Sequence, residues 1–186
     1  MLIIRSLNNA PELAPVLAEW QHQAWGYQTA AELLDFLHLS MQGQALPITF
    51  TAHVADQLVG SVSLCEHEME DHQPADRRFW LGYLFVHGSA RGQGVGRQLM
   101  AFIENHAARF GITRLYLYTA NMAGLYATLG WQEIDRLYYQ GEPVTVMTKA
   151  LPNLREGLPA ITDPAQMRDD SEDVFRFNQA SKQHTA

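Results

Sequence analysis

The chain has one cysteine, Cys65, and two lysines, Lys149 and Lys182, among its 186 residues. A single cysteine excludes an internal disulfide and a cysteine-rich metal site. With so few lysines there is no lysine-rich patch. A formal net charge of −7 disfavours nonspecific contact with nucleic acid or an anionic membrane. No stretch approaches the roughly 20 apolar residues of a membrane span. The opening residues, MLIIRSLNNAPELAP, lack the long apolar run of a signal peptide. These absences give a cytoplasmic protein with no nucleic-acid and no membrane partner as the expectation, and no metal site is assigned.

What is present reads as a globular α/β chain. Hydrophobic residues make up 47% and charged residues 18%, an ordinary balance for a packed core. Residues 1–7 read as a strand. Residues 11–24 fit a helix with Leu13, Leu17, Trp20 and Ala24 on one face, and 30–42 fit a second with Leu33, Leu34, Leu37 and Met41 together. ITFTAHVA and QLVGSVSLC read as strands joined by a turn at Asp56-Gln57. Residues 66–78 are polar and read as a loop. FWLGYLFV, 79–86, has the apolar run of a buried central strand. A helix of about 16 residues follows, with Val95, Leu99, Phe102, Ile103, His106, Ala107 and Phe110 at helical spacing and Gly111 as its stop. ITRLYLYT is a strand. NMAGLYATLG is a short helix capped by Asn121 and ended by Gly130. WQEIDRLYY and VTVMTKAL close a hairpin across residues 140–143. The expected domain spans 1–151, with 152–186 a polar C-terminal tail, mobile or docked on the surface.

The segment SARGQGVGRQL, 89–99, joins the central strand to the long helix. It is neither a Walker A loop, having no Lys-Ser/Thr pair, nor a dinucleotide fingerprint, since Arg97 and Leu99 stand where the third glycine belongs. The physics still favours an anion. A helix start offers free N–H groups with partial positive charge, glycine lets the backbone approach a bulky phosphate, and Arg91 and Arg97 add full charges. A simple glycine-rich turn into a core helix is the plainer alternative, and binding of another nucleotide by the same loop is a third.

Arg91-x-x-Gly94-x-Gly96 resembles motif A, [QR]-x-x-G-x-[GA], of the GNAT superfamily of N-acetyltransferases, in the same strand–loop–helix setting. About 30 residues on, NMAGLYATLGW is similar to the family's Asn…Tyr-x-x-x-Gly-[Phe/Trp] segment, with Asn121, Tyr126, Gly130 and Trp131 in place. The resemblance covers roughly residues 1–150. It implies a mixed, mostly antiparallel central sheet flanked by helices, with a V-shaped splay between the two central strands. It implies an acetyl-CoA-dependent N-acetyltransferase, with acetyl-CoA as cosubstrate. By the same resemblance Arg91, Gly92, Gln93, Gly94, Val95, Gly96 and Arg97 hold the pyrophosphate. The backbone of Leu84, Phe85 and Val86 pairs with the pantetheine, an amide near Phe85 is an oxyanion donor, and Asn121 holds the far side. Tyr126 is implied as the general acid that returns a proton to the leaving thiolate. Read from the residues alone, Tyr126 is a core aromatic packing with Leu129.

Many family members place a glutamate on the central strand near the position of Gly82 or Tyr83, and this chain has none. Base candidates fall instead in the acidic loop, at Glu66, His67, Glu68, Glu70, Asp71 and His72, with Glu68 and Asp71 foremost. The loop's acidity would attract an ammonium group; a merely solvated loop is the plainer reading. Cys65, beside Glu66, reads as structural, since a neighbouring carboxylate raises a thiol pKa. Direct acetyl transfer in a ternary complex follows. The expected acceptor is the primary amine of a small cationic molecule. A protein N-terminus or lysine, and a non-catalytic CoA-binding or sensing module, stand as alternatives, and a homodimer stays open.

Overall fold

The computed structural model describes residues 1–42, 46–69, 74 and 76–157. Glu70, Asp71 and His72 of the acidic loop, and the tail from 158 onward, lie outside the described residues.

The elements in chain order are β1 (Leu2–Ser6), α1 (Ala14–Trp25), α2 (Ala30–Met41), β2 (Ile48–Val54), β3 (Gln57–Cys65), β4 (Trp80–Val86), α3 (Val95–Arg109), β5 (Arg114–Thr119), α4 (Ala123–Thr128), β6 (Gln132–Tyr139) and β7 (Glu142–Ala150). Local chemistry explains their ends. Gly26 closes α1 in the left-handed conformation, φ 73°, which costs glycine no Cβ clash. Thr29 and Glu32 form a reciprocal capping box at the start of α2, satisfying two otherwise unpaired N–H groups. The β2–β3 turn sits at Ala55-Asp56, both at positive φ, as a two-residue hairpin turn requires. Gln57 already pairs with Val54, so the turn lies one residue earlier than the expected Asp56-Gln57. The closing hairpin turns at Gln140-Gly141 alone; Glu142 and Pro143 belong to β7, opposite Tyr139 and Tyr138.

The strands form one seven-stranded sheet in the order β1-β2-β3-β4-β5-β7-β6. Every neighbouring pair is antiparallel except β4–β5, which is parallel and pairs in register only at Trp80↔Tyr116. Beyond that point the two central strands separate. This is the mixed, splayed sheet expected from the sequence.

The sheet is covered on both faces. α3 packs on β3 and β4, and its Leu99, Phe102, Ile103 and Ala107 join Phe50, Val62, Leu64 and Leu115 in the main core. Each large side chain buried there stabilises the fold by about 1.5–3 kcal/mol before entropy is counted. α1 and α2 cover the other face through Leu17, Leu33 and Leu37. On β4 the residues turned that way are Tyr83 and Phe85, whereas on β2 and β3 they include short hydroxyl side chains that pair with one another or with α1. Thr49 and Ser63 are bonded at 2.9 Å, and Gln21 Nε2 donates to Ser61 Oγ at 3.2 Å. Buried hydroxyls without partners would cost more than they contribute.

Gly60 explains how tightly β3 meets β4. A Cβ there would stand 2.6 Å from the Phe85 carbonyl oxygen, a contact no side chain tolerates. Gly60 pairs with Val86; further along the same strand pair Tyr83 takes φ 51° and the register shifts between Ser61 and Ser63, which is a β-bulge. Ser61 Oγ donates to the Tyr83 carbonyl at 3.4 Å.

Candidate active site

Parting of β4 from β5 leaves the backbone edge of residues 82–86 without a strand partner on that side. Two cavities occupy the gap. The larger, about 1390 Å³, runs along Leu84, Phe85 and Val86 to the loop 90–97, with Asn121, Tyr126 and Leu129 opposite. The smaller, about 440 Å³, is walled by Trp25, Tyr27, Glu68, Tyr83, Tyr118 and Glu142 among others. Ala24, Trp25, Leu84, Asn121, Met122 and Tyr126 line both.

The glycine loop is shaped as an anion cradle. Gly92 and Gly94 take φ 74° and 80°, and a Cβ on Gly94 would meet no atom closer than 4.0 Å. The backbone conformation is therefore the reason for glycine there, and the space in front is open. The first intrahelical bond of α3 runs from the Gln98 amide to the Gly94 carbonyl at 3.1 Å. The amides of Val95, Gly96 and Arg97 precede it and have no acceptor inside the helix. Gly96 differs: its φ is not positive, and an added Cβ would only touch Val86 Cγ2 at 3.6 Å. Gln93 Nε2 holds the Ser89 carbonyl at 3.0 Å, and Arg91 Nε holds the Val86 carbonyl at 3.0 Å. Arg91 thereby ties the strand end to the loop with its guanidinium kept at the surface, where Arg97 is also exposed.

Tyr126 stands half-buried on α4, against the main core, where the cavities meet. Burial pushes its phenol above the ordinary tyrosine value, so the hydroxyl holds its proton. Asn121 does not cap α4. Met122 occupies the cap, and the Met122 amide donates to Thr119 Oγ1 at 3.0 Å. The threonine that ends β5 thus fixes the turn ahead of the helix, and α4 itself has no side-chain cap. That frees the exposed Asn121 to face both cavities.

The acidic loop divides. Glu66 is paired with Arg78 through Nε at 2.7 Å and through a second guanidinium contact, so its charge is largely balanced locally. Glu68 turns inward, half-buried, to line the smaller cavity. Its Oε1 lies 3.1 Å from where a Cβ on Gly82 would stand. The loop carboxylate therefore fills the side-chain position that the central strand leaves empty at glycine. Asp71 lies outside the described residues. Cys65 is buried, and its thiol is pushed up first by desolvation and then by Glu68; the carboxylate responsible is Glu68 rather than the adjacent Glu66.

Several residues of the smaller cavity were not singled out from the sequence. Tyr83 and Tyr118 are half-buried, and both phenols are pushed far up by burial and by the Glu68 charge. Tyr27, on the same cavity wall, is also raised, first by burial. Phe36 stacks on Tyr83 at 3.9 Å between ring centroids. Glu68 and Glu142 are the only charged side chains among the described residues lining this cavity. Neutral phenols, aromatic faces and two carboxylates make a site for a cation. The available signal was the period-2 spacing of Tyr116 and Tyr118 on β5, which gives a shared face but not what that face meets.

Residues 47–133 match the family model of the acetyltransferase (GNAT) domain. No curated protein matches the sequence. Among solved structures, an aminoglycoside 6'-N-acetyltransferase complexed with coenzyme A is similar, with 19% identity and a TM-score of 0.65 over 80% of this chain and 96% of that one. An aminoglycoside 6'-N-acetyltransferase from Enterococcus faecium has 20% identity and a TM-score of 0.62 over 80% and 96%. A spermidine N-acetyltransferase chimera from Vibrio cholerae and hSSAT has 17% identity and a TM-score of 0.62 over 80% and 95%. The splayed sheet has the fold of these acetyltransferases, and the matched domain is an acetyltransferase domain. The chain carries a GNAT acetyltransferase domain. Among the described residues no helix is long and apolar enough to cross a membrane.

Proposed function

We propose that the chain transfers an acetyl group from acetyl-CoA to the primary amine of a small cationic molecule, directly, in a ternary complex. The observation that carries this reading is the meeting of the two cavities at Leu84 and Tyr126. One cavity has an anion cradle at its end, and the other is walled by carboxylates and aromatic faces.

The cradle fits the diphosphate of CoA: open glycine backbone, unpartnered helix-start amides and two surface arginines. Loop residues 91–97 hold the diphosphate. The free edge of Leu84, Phe85 and Val86 takes the pantetheine as an added strand, and Asn121 holds its other side. Acetyl-CoA supplies an acetyl group activated as a thioester. An amide near Phe85 donates to the carbonyl oxygen as negative charge builds on it. Glu68 takes the proton that the ammonium must lose before its nitrogen can attack, Tyr126 donates its hydroxyl proton to the sulfur as the C–S bond breaks, and the second proton lost by the acylated nitrogen restores the phenol. Glu142 and the tyrosine faces attract and seat the cation. Residues 1–151 suffice for this chemistry, with 152–186 an appended tail.

The test is release of free CoA from acetyl-CoA in the presence of a panel of polyamines, aminoglycosides, amino-acid derivatives and lysine peptides. Turnover with small cations, and an acceptor KM that rises with salt as exposed charges are screened over about 8–10 Å, is the expected result. Tight acetyl-CoA binding without turnover on any amine would make the protein a binding module instead. Turnover confined to peptides would make it a protein acetyltransferase.

A further inference from the structure

The helix that carries Tyr126 is poorly equipped to hold itself. α4 has six residues, no buried residue and no side-chain cap at its start, and Gly124 lies within it. Six residues are far too few for an independent helix in water. Its C-terminal end, however, is fastened from outside. Lys149, on β7, donates from Nζ to the Leu129 carbonyl at 2.7 Å and to Glu104 Oε2 at 2.7 Å. Glu104, on α3, accepts at its other oxygen from Trp131 Nε1 at 3.0 Å. Trp131 is buried, and its amide returns to the Tyr126 carbonyl at 3.1 Å. The Lys149 and Glu104 side chains are 22% and 16% exposed, so this ion pair is shielded enough for its loss to matter.

We propose that Lys149, braced by Glu104, is a positioning residue that sets Tyr126 by clamping the C-terminal end of α4. A carbonyl at a helix end lacks an intrahelical donor, and a lysine ammonium satisfies it and favours the negative end of the helix dipole. Glu104 fixes where that ammonium stands. Because Glu104 belongs to α3, the helix that opens at the glycine loop, the clamp also ties the phenol to the cradle. The two ends of the reaction site are thereby held in one frame. Proton transfer tolerates little misplacement, so a loosened α4 costs turnover even where acetyl-CoA still binds.

This inference rests on Tyr126 being the proton donor, and the test separates the two claims. Lys149→Met alone would strand a half-buried carboxylate, so the variant is Glu104→Gln/Lys149→Met, which removes the charges together. It is expected to lower kcat about 10- to 100-fold while leaving the acetyl-CoA Kd within about twofold. Amide exchange at residues 126–131 should quicken by roughly tenfold or more. In a Tyr126→Phe background the same pair of substitutions should change kcat by less than about twofold, because both act through one group. Lys149→Arg, which keeps donors for Glu104 and for Leu129, should recover most of the turnover. An equal loss of kcat in both backgrounds, or unchanged amide exchange in the folded double variant, overturns the clamp. Wild-type kcat in Tyr126→Phe alone overturns the proton-donor reading, and the clamp then has no catalytic group to serve.

Discussion

Glu68 Oε1 stands 3.1 Å from the point where a Cβ on Gly82 would be. A loop carboxylate and a strand glycine thus share one side-chain volume at the inner wall of the smaller cavity. The strand gives up its side chain, and the loop supplies a charged one in its place. In the proposed mechanism this loop carboxylate is the base that FWLGYLFV, with no acid of its own, does not supply.

If Glu68 is the base, Glu68→Gln should lower kcat by about 10²–10⁴-fold, the usual worth of a positioned acid or base. It should also remove the acidic limb of the pH–rate profile. The KM for acetyl-CoA should hardly change, because Glu68 lines only the smaller cavity. Gly82→Asp combined with Glu68→Ala should recover part of kcat, since the new carboxylate enters the same volume. An unaltered profile in Glu68→Gln would return the role of base to Asp71 or to solvent.

Gly94 offers a test of the cradle. Its φ of 80° is a conformation that Asn and Asp tolerate better than other residues, and nothing stands in the way of a side chain. Gly94→Asn and Gly94→Asp should therefore both fold, with equal backbone strain. Only the aspartate adds a charge at the helix start, where an anion is to bind. Calorimetry should show acetyl-CoA binding weakened by about 10- to 100-fold more in Gly94→Asp than in Gly94→Asn. Equal affinities would mean that the diphosphate lies elsewhere.

Tyr126→Phe should reduce kcat by about 10- to 10⁴-fold with acetyl-CoA affinity retained. The pH dependence has a definite sign. Burial raises the phenol above its ordinary value of 10.0, so the protonated, donating form persists to higher pH. The alkaline limb of kcat that belongs to Tyr126 should lie above pH 10.0. A limb near neutrality that survives in Tyr126→Phe belongs to another group.

His53 should make stability sensitive to acid. It is buried on β2, bonded through Nε2 to Thr51 Oγ1 at 2.9 Å. Its imidazole is held below the ordinary 6.5 by desolvation first and by Arg5 second. The unfolded chain therefore binds a proton at His53 that the folded chain refuses. Stability from this group is present above pH 6.5 and is lost as pH falls below it, since the unfolded state then holds more protons. His53→Gln should flatten the fall in melting temperature between pH 7 and about 5. An identical slope in both proteins would show that other groups set the acid limit.

The order and type of the elements were legible because each rests on near neighbours in the chain. The 3.6-residue apolar spacing of Leu99, Ile103 and Ala107 makes α3 amphipathic wherever it sits. The cradle at 91–97 was legible for the same reason: a glycine loop and the helix start beside it are local chemistry. Local signals also misled where tertiary partners intervened. Asn121 is a good cap residue, but Thr119 was already in place to take the Met122 amide. Glu66 and Glu68 look alike in the sequence. Only the fold, by bringing Arg78 to one and Gly82 to the other, made the first a surface ion pair and the second a cavity wall. Tyr27, Tyr118 and Glu142 come from a helix junction, a central strand and a hairpin edge, and no spacing in the chain records that they meet. The clamp of Lys149 on Leu129 and Glu104 joins residues 20 and 45 positions apart. The sequence by itself determined the periodicities, the turns and the glycine loop that opens α3, because those depend on residues a few bonds apart. The smaller cavity and the frame around Tyr126 were decided by tertiary structure alone, because long-range packing chooses which side chains share a space.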